Sequence, residues 1–73
     1  MKVAILGVGE VGSTLAYDLL QENVSVSGWD PKPRNLPAGL HFADSNPDAV
    51  NDADLILSTN LAAVAVDVAR EVL

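Results

Sequence analysis

The chain opens on an unbroken apolar run, Val3-Ala4-Ile5-Leu6, too short for a helix and closed by glycine. It predicts a strand over Lys2 to Leu6 that is buried on both faces. From Glu10 to about Glu22 the apolar residues recur at helical spacing, which predicts a helix with Leu15, Leu19 and Leu20 turned to the sheet and Ala16 between them. Asn23 marks its end, because Asn tolerates the left-handed backbone that terminates helices. Val24 to Trp29 then alternates. Val24, Val26 and Gly28 lie on one face and Ser25, Ser27 and Trp29 on the other, so a second strand is expected with one face less buried than in the first.

Residues 31–39 carry three prolines and no helical period, so a loop is expected where a doubly wound unit usually has a crossover helix. Leu40 to Ala43 reads as a short third strand. Ser45-Asn46-Pro47 reads as a helix start, a capping side chain ahead of an early proline, with about one turn running to Asn51. Ala53 to Thr59 is the fourth strand, built on Leu55-Ile56-Leu57. Leu61 to Leu73 is the last helix, with Leu61, Val64, Val68 and Val72 on one stripe.

Chemistry enters where the first strand meets the first helix. Gly7-Val8-Gly9-Glu10-Val11-Gly12 is a G-x-G-x-x-G pattern, placed in the strand-to-helix context that a dinucleotide-binding fingerprint requires. Gly7 allows the tight turn, Gly9 removes the side chain where a pyrophosphate lies against the backbone, and Gly12 lets the helix pack closely on the strand. The free N–H groups and positive dipole end of that helix form an anion site without a basic side chain. Glu10 does not help an anion, but it favours the helix N-terminus from the solvent side. The alternative is a glycine turn that merely packs a strand on a helix. With the fingerprint, the order of elements predicts an α/β fold, a Rossmann-like parallel sheet with flanking helices and strand order 3-2-1-4, truncated to about the first mononucleotide-binding half. Residues 1–73 are expected to form one domain, an incomplete one whose fourth strand is an apolar edge.

Composition narrows the class. With 49% hydrophobic residues in 73, the chain can pack a core, and a net charge of −6 argues against a nucleic-acid partner or an anionic membrane. The absence of cysteine removes disulfides and thiolate metal sites. No apolar run reaches the length of a membrane span, and Met1-Lys2 with the run to Leu6 lacks a signal-peptide core, so a cytoplasmic location is expected. His41, the single histidine, has no second ligand beside it, so no metal site is expected. Asp44, Asp48, Asp52 and Asp54 lack the pattern of a calcium loop and read as a solvated acidic surface. Tyr17 and Phe42 read as packing residues, and Trp29 as core or rim.

Residues 2–12, Trp29-Asp30 and Ala53-Asp54-Leu55-Ile56-Leu57-Ser58-Thr59 together resemble the N-terminal domain of β-hydroxyacid dehydrogenases, the group of 6-phosphogluconate dehydrogenase and 3-hydroxyisobutyrate dehydrogenase. Residues 61–70 (LAAVAVDVAR) are similar to its phosphogluconate dehydrogenase-like branch. The resemblance spans the whole chain but only the cofactor half of the family. It implies an NAD(P) site in which Val8, Gly9, Glu10 and Val11 lie under the pyrophosphate and Asp30 reads the adenine ribose. Ser58, Thr59 and Asn60 would form the loop that passes beside the cofactor. The family's catalytic lysine, its asparagine partner and its substrate-anchoring loop have no counterpart in these residues. The chain is therefore expected to be the dinucleotide-binding portion of an NAD(P)-dependent oxidoreductase without catalytic residues of its own, completed by a further C-terminal domain or by homo-oligomerisation. The alternative is a stand-alone nucleotide-binding module.

Asp30 lies 18 residues after Gly12, near the spacing at which an acid meets the ribose. It can accept hydrogen bonds from the ribose hydroxyls and would repel a 2′-phosphate, which favours NAD over NADP. Asp30-Pro31 is also a turn signal that needs no ligand. Lys32 and Arg34 either fold back to attract such a phosphate or stand as solvated loop charges.

Overall fold

The computed structural model describes residues 1–33, 35–59 and 69–72. Arg34, Asn60 and the last-helix positions Leu61, Val64, Val68 and Leu73 lie outside the described residues. The elements run β1 (Lys2–Leu6), α1 (Glu10–Gln21), β2 (Ser25–Trp29), β3 (His41–Phe42), α2 (Asn46–Val50) and β4 (Leu55–Ser58). Residues 69–72 are helical. The four strands form one all-parallel sheet in the order β3-β2-β1-β4. This is the expected α/β architecture and strand order. The central register pairs Ile5 with Gly28 on one side and with Leu57 on the other.

Two apolar layers hold the sheet. On the α1 face, Val3, Ile5, Val8, Ala16 and Val26 form the core, with Leu19, Leu20, Leu40 and Leu57 packed against it. On the opposite face, Leu6, Ala43 and Ala49 form a smaller layer with Trp29, Val50 and Val72. β1 lies between these layers, which is why its apolar run is continuous rather than alternating.

Several local expectations are corrected by packing. Leu15 does not face the sheet: it is 36% exposed, and the buried face of α1 is made by Gly12 and Ala16, flanked by Leu19 and Leu20. The close approach that Gly12 permits brings the small residues, not Leu15, onto the strands. Tyr17 stands exposed on the outer side of the helix, although it was expected to pack. Ser27 was placed on the less buried face of β2, yet it is fully buried, because α2 covers it and its hydroxyl donates to the Ala49 carbonyl at 2.6 Å.

The helix ends follow the expected chemistry. The Ser45 hydroxyl accepts the Asp48 N–H at 3.1 Å and caps α2. Asn23, just past α1, has φ of 60°. The four aspartates from Asp44 to Asp54 are exposed, and two of them accept backbone N–H groups. Asp48 accepts from the Asp44 N–H, and Asp54 from the Lys2 N–H.

Candidate functional site

The site is built where β1 and β2 deliver their carboxyl ends side by side, the position at which open α/β sheets bind ligands. Leu6 pairs with Trp29, and the Gly7 N–H extends that ladder by donating to the Trp29 carbonyl at 2.9 Å. The chain must then turn sharply to enter α1. Gly7 makes the turn at φ of 89°, a conformation that an L side chain rarely adopts. Val8 is driven inward and fully buried, while Gly9 emerges as the N-cap of α1 without a side-chain cap.

An open cleft of about 810 Å³ lies over this turn, lined by Val8, Gly9, Glu10, Ser13 and Thr14 from the turn and α1 and by Asp30, Pro31, Lys32 and Asn35 from the segment after β2. Its size is that of a cofactor pocket. A Cβ on Gly9 would meet nothing within 4 Å, so the backbone here faces open space. Gly12 is the opposite case. A Cβ there would come within 2.5 Å of the Gly7 carbonyl, 2.9 Å of Thr59 Oγ1 and 3.2 Å of Ile5 Cγ2, so glycine is what seats the helix on the turn. Neither Val8 nor Gly9 donates its N–H to another described backbone group. Unpaired N–H groups at the N-terminus of a helix, with its dipole, are the kind of donors that can hold an anion.

The predicted residues fall into three places. Val8, Gly9, Glu10, Asp30 and Lys32 line the cleft together. Gly7 and Gly12 are buried beneath it, and Val11 is 64% exposed on the helix surface. Ser58 pairs with Leu6 at the end of β4, and Thr59 lies behind the turn; neither is among the residues that line the cleft. Arg34 and Asn60 are outside the described residues. Asp30 Oδ1 accepts the Lys32 N–H at 2.8 Å, so the carboxylate shapes the Asp-Pro turn while lining the cleft.

Four lining residues are not among the site residues expected from the sequence. Ser13 and Thr14 follow the fingerprint by one and two positions, and the Ser13 hydroxyl is buried with no hydrogen-bond partner among the described residues. Pro31 and Asn35 come from the loop after β2, with Asn35 at φ of 49°. The Asp30-Pro31 turn signal marks a loop there, but no local pattern marks either residue as lining a site. Gly28 was legible in principle, since an isolated glycine in a strand signals a close approach. A Cβ at Gly28 would lie 2.7 Å from Val8 Cγ2, so Gly28 makes the room in which Val8 anchors the turn.

Among the described residues no group of three or more His, Asp or Glu side chains could hold a metal ion, and no helix is long and apolar enough to cross a membrane. Neither family models nor curated proteins yield a match to this chain. Among solved structures, the chain is similar to Plasmodium falciparum pyrroline carboxylate reductase, crystallised with NADP bound, at a TM-score of 0.84 and 22% identity. The match covers 99% of this chain and 28% of the reductase, so the chain spans little more than a quarter of that protein's length. At this identity the likeness establishes the fold, a Rossmann-like α/β sheet.

Proposed function

We propose that this chain binds a nicotinamide dinucleotide and is the cofactor-binding portion of an NAD(P)-dependent oxidoreductase, of the β-hydroxyacid dehydrogenase type. The observation that carries the reading is the glycine turn itself. Gly9 presents bare backbone to the cleft at the N-terminus of α1, and Asp30 lines the same cleft. The residues present fit the group: a side chain at Gly9 would project into the space a pyrophosphate needs, and Ser13, with its unpartnered hydroxyl, lines the same cleft. The dinucleotide, when bound, supplies hydride chemistry. The chain's own residues bind and orient it, with backbone N–H groups on the pyrophosphate and Asp30 on the adenine ribose.

The β-hydroxyacid dehydrogenase assignment rests on the resemblance of residues 2–12, 29–30 and 53–59 to that family. The cofactor half shares its fold with a reductase of another kind whose crystal structure holds NADP, so the fold does not select the substrate class. Asp30 favours NAD through its charge, and Lys32 in the same cleft is the group that would favour NADP. Domain 1–73 is proposed to work with a further domain or a second copy that contributes the substrate site.

The test is a titration of the chain with NAD, NADH, NADP and NADPH, followed by calorimetry and by the fluorescence of Trp29, which pairs with Leu6 directly before the turn. Saturable one-to-one binding of a dinucleotide is the expected outcome, with NAD the tighter. A folded chain that binds none of the four would sink the proposal.

A further inference from the structure

We propose that Thr59 is a positioning residue: its hydroxyl grips the Gly7 carbonyl from behind and thereby holds the Val8 N–H on the opposite side of the peptide, at the floor of the cleft that Val8 lines. The inference rests on the dinucleotide reading for its effect on affinity, but its structural half does not need a ligand. Thr59 follows β4 and continues the ladder, donating its N–H to the Leu6 carbonyl at 2.8 Å. Its hydroxyl lies close to two carbonyls at the end of β1, those of Leu6 at 3.4 Å and of Gly7, and the closer contact is to Gly7. The position is available because Gly12 has no Cβ, which would sit 2.9 Å from that hydroxyl.

The consequence follows from peptide geometry. In a trans peptide the carbonyl of one residue and the N–H of the next point in opposite directions. The chain contains no cis bond among the described residues, so fixing the Gly7 carbonyl towards Thr59 fixes the Val8 N–H away from it. Gly7, with positive φ and no side chain, is the residue at which this peptide could most easily flip. β2 restrains the Gly7 N–H through Trp29, and β4 restrains the Gly7 carbonyl through Thr59. The turn is thus held from both neighbours of β1, and Thr59 is the restraint on the carbonyl side. This differs from a direct contact between Thr59 and the cofactor. Its hydroxyl proton is committed to the turn.

The experiment compares Thr59→Val, which keeps the shape and removes the donor, with Thr59→Ser, which keeps the donor. Amide NMR spectra of the ligand-free chains are recorded first, with circular dichroism to confirm that each variant is folded. The expected result is that Thr59→Val moves and broadens the Val8 and Gly9 amide signals while distant strand signals stay, and that Thr59→Ser leaves Val8 and Gly9 near their parent positions. Dinucleotide titrations then follow, with Thr59→Val about fivefold weaker than the parent and Thr59→Ser near parent affinity, the size expected for one hydrogen bond. Unchanged Val8 and Gly9 signals in a folded Thr59→Val, or a Thr59→Ser as altered as Thr59→Val, would overturn the inference. A parent that binds no dinucleotide would instead defeat the functional reading, and the ligand-free spectra would still decide the role of Thr59.

Discussion

At the scale of single residues, the fingerprint glycines divide into two physical kinds, and substitutions should separate them. Gly9 faces open space at a negative φ of −90°, so Gly9→Val costs the fold little but fills the proposed pyrophosphate seat. Dinucleotide affinity is expected to fall by at least about tenfold while the thermal midpoint stays close to the parent's, as calorimetry and thermal denaturation would register. Gly12 is packed against backbone. Gly12→Ala should destabilise the chain by about 1–3 kcal/mol in a urea titration, because the Gly7 carbonyl cannot retreat without moving β1. The G-x-G-x-x-G spacing announced all three glycines, since each is required by backbone geometry that the sequence states locally. Gly28 and Ser13 were not announced in the same way: their importance comes from Val8 and from the loop after β2, which lie elsewhere in the chain.

Between elements, the two faces of the sheet are covered unequally, and the smaller layer depends on α2. That helix has five residues, capped by Ser45 and joined to β2 by the Ser27 hydroxyl on the Ala49 carbonyl. Ser27→Ala would leave a buried carbonyl without its donor. The expected loss is about 1–3 kcal/mol of unfolding free energy, measured by denaturant titration. The Ser27 face is expected to be the less buried one because strand alternation reports which residues share a face, not whether another element covers that face. The same reasoning accounts for Leu15. Helical spacing identified an apolar side of α1, but the close seat of Gly12 and Ala16 determined which part of that side touches the sheet.

For the molecule as a whole, β4 is the edge of the described sheet, and its Leu55 and Ile56 are 45% and 44% exposed. They lie on opposite faces of the strand, since successive residues alternate. An apolar edge with open pairing groups associates with other chains. The chain is expected to sediment above monomer mass at high concentration, and Ile56→Lys should return it to monomer. A parent that sediments as a clean monomer at every concentration would rule this out. The same edge adjoins Thr59 at the back of the glycine turn, so a partner seated there would touch the proposed restraint on that turn as well as bury apolar surface.

The order of strands and helices, the parallel sheet and the position of the glycine turn were determined by the sequence alone. Periodicity, proline placement and the N-terminal fingerprint are local signals, and few topologies satisfy them together. Only the tertiary structure decided which side chains meet across the chain. It brought Asn35 and Lys32 to the same cleft as Ser13 and Thr14, buried Ser27 under α2, and set Thr59 against the Gly7 carbonyl. Those contacts join residues up to 52 positions apart. Their existence depends on how closely β4 and α1 approach the end of β1, and that distance is fixed by packing rather than by any pattern within a single element.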